Sequence, residues 1–348
     1  MDYRFLGTTG LRVSELCLGT MTFGSEFYNI GEVDQPLATE MVETALESGV
    51  NFFDTADIYS YGESEEILGK ALNKVGVDRN KVVIATKVRG PMSDEAAEGT
   101  GDVNNQGLSR KHIHEACEAS LERLQTDFID LYQVHGWDYD TPIEETLEAL
   151  NDLVRSGKVR YIGCSNWSAH HLMKALEISR KNNWATFDAL QAYYSLGNRD
   201  LEHELLPLCR EEGLGVLPWS PLAGGFMTGK YRRNGDGPDD GRRVDFDFPP
   251  VKEEKGYEAI EVMDEISEHT EATIPQVALQ WVIEQSGVSS VIIGAKTMDQ
   301  LEENLESTNL NLPEDSLNRL SSITEPPALY PEWMYSMQNT GELPDNVG

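Results

Sequence analysis

Eight short apolar runs alternating with amphipathic stretches predict an α/β fold, a closed (β/α)8 TIM barrel, for this chain of 348 residues. Two observations favour closure over an open sheet. Most of the runs are apolar without strict alternation, as in strands covered on both faces. The residues that follow them are repeatedly polar, and polar groups at the strand C-termini of such a repeat converge at one mouth.

Near the N-terminus YRFLGTTGLRVSEL has two short apolar runs about a Gly-containing turn, which reads as a hairpin plugging the barrel bottom. The strand runs follow: Leu16–Gly19, Val50–Ala56, Val82–Lys87, Phe128–His135, Val159–Ser165, Asp188–Ala192, Gly215–Ser220 and Ser289–Gly294. Apolar residues at helical spacing mark Pro36–Ser48, Ser64–Lys74, Arg110–Leu124 and Ile143–Arg155 between them. The chain is longer than the ~250 residues typical of the fold, so insertions are expected within one domain, 1–348. Two Gly-rich polar stretches, 89–108 and 231–250, read as loops. The tail, 325–348, carries Pro326, Pro327, Pro331 and Pro344 and cannot stay regular for long. All three are placed to frame the mouth.

Sixty acidic residues stand against 28 basic ones, a formal charge of −32. Nucleic acid and anionic membrane surfaces are therefore unexpected partners. The acidic residues are spread over the helices rather than blocked into a tail. Such a surface resembles that of proteins from salt-loving, halophilic organisms, where counterions screen the self-repulsion; an ordinary acidic cytosolic enzyme is the alternative. Cys17, Cys117, Cys164 and Cys209 lack metal-like spacing and lie in apolar contexts, as buried reduced thiols would. No metal is expected: His112 and His114 have a His-x-His spacing but fall in a helical run, where they point to different faces. No run approaches the ~20 apolar residues of a membrane helix, and a cytoplasmic protein is expected. Nothing in the sequence fixes an oligomeric state.

Asp54, Tyr59, Lys87 and His135 each lie at or just beyond the end of a strand run. A free tyrosine, with a reference pKa of ~10, is a poor acid. An ammonium beside it favours the phenolate, and Lys87 can supply that charge. Asp54 can hold Lys87 by a charge-assisted hydrogen bond. His135 would then be a neutral group aimed at a substrate oxygen. Together they would deliver a proton to an oxygen while polarising a carbonyl.

From Gly19-Thr20-Met21 to Asn304 the chain resembles the aldo-keto reductases, most of all the microbial group related to voltage-gated potassium channel β subunits. The resemblance rests on FFDTADIYSYGESEEILG, ATK, GLSRKHI, IDLYQVHGWD, GKVRYIGCSNW, LPWSPLAGGFMTGKY and IIGAKTMDQLEEN, in that order. It implies NADPH-linked reduction of an aldehyde or ketone, with NADH as the alternative carrier. Tyr59 takes the place of the general acid, Asp54 and Lys87 of its supporting pair, and His135 of the substrate-orienting group. Gly19, Thr20, Met21 and Asp54 fall among the cofactor contacts. A cofactor-binding regulatory or redox-sensing subunit is the alternative function.

The remaining cofactor contacts can be read physically. Ser165 and Asn166 offer a hydroxyl and an amide to a nicotinamide carboxamide, and Gln191 adds a second amide. Trp219 supplies an aromatic face on which the nicotinamide can stack, leaving the other face of the nicotinamide open to hydride transfer. Ser220, Pro221, Leu222, Ala223 and Gly224 form a turn whose backbone N–H groups can approach a pyrophosphate. Lys230, with Arg242 or Arg243, would close over it. A strand-coupled G-x-G-x-x-G is absent, which argues against a Rossmann site. Gly294 and Lys296 precede a helix, whose N-terminus attracts phosphate. Lys296 would pair with an adenosine 2′-phosphate, and Gln300, Glu303 and Asn304 would face the adenine. Many members of the wider family carry Arg where this chain has Gln300, and Lys296 restores a charge there. Met21, Phe23, Tyr28 and Trp137, with Tyr330 or Trp333 of the tail, would wall a pocket for the carbonyl substrate.

Overall fold

A strand turns successive side chains to opposite faces, and this alternation sorts the apolar residues here into an axial core and an outer one. The structure, a computed structural model, describes residues 1–24, 33–233, 235, 237, 243 and 246–338. Two strands, β1 (Tyr3–Phe5) and β2 (Arg12–Ser14), form an antiparallel hairpin. Eight parallel strands follow: β3 (Leu16–Gly19), β4 (Phe52–Asp54), β5 (Val83–Val88), β6 (Ile129–Val134), β7 (Val159–Ser165), β8 (Ala189–Tyr193), β9 (Gly215–Trp219) and β10 (Val291–Ile293). Each from β3 to β8 pairs with the next, and β10 returns to pair with β3. The seam between β9 and β10 is closed by a bridge from Val216 to Val288. There the Val216 N–H donates to Gly287 O (3.1 Å) and the Ser289 N–H to Val216 O (2.9 Å).

Phe52, Val83, Ala85, Leu131 and Ala189 pack at the barrel axis. Two residues further along the same strands, on the same inner face, come Asp54, Lys87, Gln133 and Gln191. The alternation that buries the axis therefore carries four polar side chains into its upper layer. Leu6 of the hairpin is fully buried in the axial core. The hairpin is tied below the strands by Thr8 N–H to Gly213 O (2.9 Å) and by Arg4 Nη1 to Ile283 O (2.5 Å). Gly7 (φ +55°) leaves no room for a side chain, since a Cβ would lie 2.3 Å from Gly213 O. The hairpin plugs the bottom as expected.

Among the described residues the helices are α1 (Gln35–Glu47), α2 (Glu63–Val75), α3 (Asp94–Glu98), α4 (Arg110–Leu124), α5 (Ile143–Arg155), α6 (Ala169–Asn182), α7 (Leu205–Glu212), α8 (Glu253–His269), α9 (Ile274–Ile283), α10 (Met298–Glu306), α11 (Glu314–Ile323) and α12 (Glu332–Gln338). Side-chain caps explain several starts: Asp34 accepts from Leu37 N–H and Ser109 from His112 N–H. The four helices read from sequence are found to within one residue at either end. One expectation fails in the stretch 89–108, read as a loop, because it contains α3. Ser93 caps this turn, Ala96 is buried beneath it and Gly99 ends it in the left-handed region. An element of five residues is too short to show an apolar period. All four cysteines are free and buried. Among the described residues no helix is long and apolar enough to cross a membrane.

Candidate active site

Around the mouth the backbone leaves its ordinary conformations. Ser60 (φ 48°) and Tyr61 (φ 51°) after β4, Asn166 (φ 58°) after β7, and Ser220 and Ala223 (both 51°) after β9 are left-handed. Strain of this kind costs about 1–3 kcal/mol per residue and gathers at functional sites. The turn through Ser60 and Tyr61 reverses the chain between β4 and α2, and Tyr59 at its start borders a cavity of about 1090 Å³. Three buried hydroxyls fix this corner: Ser64 Oγ lies 2.8 Å from Thr20 Oγ1 and 3.0 Å from Thr55 Oγ1.

Lys87 is fully buried beneath the cavity. Its Nζ donates to Asp54 Oδ1 at 2.5 Å and to Thr55 O at 2.7 Å, and reaches Tyr59 Oη at 3.4 Å. The second carboxylate oxygen of Asp54 accepts from Gln191 Nε2 (2.9 Å) and Gln133 Nε2 (3.1 Å). His135 sets its ring edge-on to Tyr59, with centroids 5.7 Å apart. The four residues expected to act together are thus brought together. Gln133 completes the group and went unnamed in the sequence reading, although its place two residues past Leu131 marks it as inward-facing.

The protonation states follow from burial and charge. Burial is the largest single influence and would lower the Lys87 ammonium, but charge and hydrogen-bond interactions with Asp54 and Tyr59 together raise it, so Lys87 stays charged. Burial pushes the Tyr59 hydroxyl up, the Lys87 charge pulls it down, and burial prevails. The expectation of a phenol more acidic than free tyrosine is therefore not met. Tyr59 instead remains protonated, the form from which a proton can be given. His135 is held well below the ordinary imidazole range, first by burial and then by the Lys87 and Arg89 charges, and is neutral.

Of the described residues expected at the cofactor, all border the cavity apart from Ala223 and Arg243. Ala223 is fully buried, and its carbonyl accepts from Arg243 Nη1 at 2.9 Å. Arg243 donates as well to Pro249 O (2.8 Å) and so fastens the loop to the turn rather than facing the cavity. Arg242 lies outside the described residues. Asn166 joins three elements, with Nδ2 donating to His135 O (3.2 Å) and Ser165 Oγ (3.0 Å) and Oδ1 accepting from Trp219 Nε1 (3.2 Å). The ring of Trp219 borders the cavity and already carries two aromatic neighbours. Tyr193, its partner in the β8–β9 register, stacks on it at 5.1 Å and Phe248 at 5.7 Å. The N–H groups of Ala223, Gly224 and Gly225 are turned inward to Ser220 and Leu222. At the far end, the Lys296 N–H is held by Gln300 Oε1 (2.9 Å) and Thr297 caps α10. The sequence reading missed Thr273, Ile274 and Pro275 on the wall, although Thr273 and Gln276 form a capping box visible in the sequence.

Of the described residues expected in the substrate wall, Met21 alone borders the cavity. Phe23 is fully buried in the outer core. Trp137 stacks on His171, with centroids 3.6 Å apart. Tyr330 and Trp333 are exposed and do not border the cavity, and Tyr28 lies outside the described residues.

Such a mouth can give one proton to an oxygen held from a second side by a neutral imidazole. That is the half of a carbonyl reduction that side chains can supply, and the class is an oxidoreductase acting on carbonyl compounds. Residues 15–325 match the Aldo/keto reductase family, and the chain belongs to it. It is 40% identical over 327 residues to an uncharacterized oxidoreductase, YrpG, of Bacillus subtilis (strain 168), covering 93% of this chain and 96% of the relative. It is 34% identical over 347 residues to versiconal hemiacetal acetate reductase of Aspergillus parasiticus, covering 95% and 99%. A putative voltage-gated potassium channel subunit beta of Schizosaccharomyces pombe (strain 972 / ATCC 24843) is 36% identical over 334 residues, covering 93% of each.

Proposed function

We propose that the chain is an NADPH-dependent reductase of aldehydes or ketones in which Tyr59 donates the proton to the carbonyl oxygen. The reading rests on one observation above others: a protonated phenol on the cavity wall, 3.4 Å from a buried ammonium and edge-on to a neutral imidazole. When bound, a reduced nicotinamide would supply a hydride to the carbonyl carbon. Tyr59 gives its proton as the oxygen gains charge, Lys87 steadies the phenolate that results, and solvent restores the proton. His135 donates a hydrogen bond to the same oxygen.

The donor set around the cavity fits a nicotinamide dinucleotide. Ser165, Asn166 and Gln191 gather amide and hydroxyl groups beside Trp219 at one end, and Lys296 stands before an N-capped helix at the other. The charge of Lys296 favours a 2′-phosphate, hence NADPH over NADH. The large acidic excess and the four free cysteines support a cytoplasmic protein of a salt-rich cell. We read residues 1–348 as one domain.

Titration with NADPH and NADH in high salt, by quenching of tryptophan fluorescence and then with a panel of aldehydes, tests the reading. NADPH binding with aldehyde-dependent oxidation is expected. Tyr59→Phe should lose reduction by about 10²-fold or more while keeping cofactor affinity. Lys296→Ala should weaken NADPH and spare NADH. Binding without turnover on any carbonyl would instead support a regulatory subunit.

A further inference from the structure

Asp54 is the hub of the buried layer, and its two oxygens have different partners. Oδ1 faces Lys87, while Oδ2 accepts from both Gln191 and Gln133. The two amides also face each other, Gln191 Nε2 lying 3.3 Å from Gln133 Oε1. The carboxylate fixes which end of each amide points inward, because only the NH2 group is a donor.

The two glutamines are not equivalent. Gln191 borders the cavity and is within reach of a ligand, whereas Gln133 is fully buried and does not border it. Gln133 stands beside Lys87 on one strand and Gly163 on the other, and a Cβ at Gly163 would lie 3.1 Å from Ala189 O, 3.2 Å from Gln133 Cγ and 3.4 Å from Leu131 Cδ1. Gly163 has no positive φ to explain it, so room for its neighbours remains a physical reason for the missing side chain.

We propose that Gln133 is a positioning residue for carbonyl reduction, holding the Asp54 carboxylate that orients Lys87 and through it sets the acidity of Tyr59. This rests on the proton-donor role given to Tyr59 above. When the Gln191 amide turns to a ligand in the cavity, Gln133 is the side-chain donor that stays on Oδ2. Without it the carboxylate is less well solvated and draws harder on the Lys87 protons. The cation is then less available to Tyr59, whose pKa rises further.

The test is kcat against pH at saturating NADPH and aldehyde for the parent, Gln133→Met, Gln133→Glu and Tyr59→Phe, with cofactor affinity measured alongside. Met keeps nearly the same length without a donor. Gln133→Met should lower kcat by about tenfold and move the alkaline inflection to higher pH, with cofactor affinity within twofold of the parent. A glutamic acid held protonated beside Asp54 can still donate, so Gln133→Glu should regain activity toward acid pH and lose it as pH rises. A packing role alone would lower the melting temperature and leave the inflection in place. Parent-like kcat and inflection in Gln133→Met would overturn the inference while the Tyr59 reading stands. A fully active Tyr59→Phe, or a parent that reduces no carbonyl, would remove the reading itself and this inference with it.

Discussion

The ammonium of Lys87 is closer to Asp54 Oδ1 (2.5 Å) and Thr55 O (2.7 Å) than to the Tyr59 hydroxyl (3.4 Å). The cation is thus held by two structural acceptors and presents its remaining proton to the phenol. Because the pair is buried, each partner depends on the other. Lys87→Met leaves the Asp54 charge unpaired and should cost about 3–5 kcal/mol in urea unfolding. The double change with Asp54→Asn should recover part of that loss. An unaltered midpoint for Lys87→Met would contradict a mutual dependence of the two buried side chains.

Asp188, just before β8, is a half-buried carboxyl that desolvation pushes up to about 6 from an ordinary 3.8. An acid raised on folding binds more protons folded than unfolded between those values. Its protonated form is therefore relatively stabilised, and its contribution falls as pH rises through the window. The difference of roughly two pH units is worth up to about 3 kcal/mol. Asp188→Asn keeps an oxygen for the Ile162 N–H and should stabilise the protein at pH 8 but not at pH 4. Equal effects at both pH values in thermal melts would contradict this account.

Trp219 carries Tyr193 and Phe248 on its ring. Phe248 is 37% exposed and belongs to the loop, so it is the ring that a ligand could displace. Trp219→Ala should weaken NADPH by about tenfold, while Phe248→Ala should bind at least as tightly as the parent. A tenfold loss in Phe248→Ala would show that this ring is part of the binding surface instead.

With a formal charge of −32, self-repulsion opposes the compact state. Raising KCl from 0.1 to 2 M shortens the Debye length from about 10 Å to under 3 Å. The melting temperature should climb across that range, most steeply at the low-salt end. A flat profile would mean that the acidic surface is already neutralised by its own arginine and lysine pairs, such as Arg110–Asp152 and Lys252–Asp200.

Much of this arrangement could be read from the sequence because it depends on period. Val83, Ala85 and Lys87 share a face by alternation, so the apolar run foretold where the lysine goes. The same reasoning reaches Gln133 from Leu131, yet a glutamine inside an apolar strand carries no chemistry until the carboxylate opposite is known. Contacts between distant loops were not readable. Phe248 on Trp219, Arg243 on Ala223 and His171 on Trp137 each join segments whose meeting is set by tertiary folding. The same limit explains the substrate wall, where Phe23 was placed by its type and the structure buries it in the outer core.

The hairpin that seals the barrel bottom also dictates an order of assembly. Residues 3–14 are made long before their fastenings at Gly213, Ile283 and Ser289, and β3 waits for β10 as its second neighbour. Until Ser289 has been synthesised, the nascent sheet has two bare edges, at β3 and β9, and an unsealed apolar axis. Such edges invite pairing with other chains. A chain cut before β10 would accordingly be a species prone to aggregation rather than a smaller working barrel.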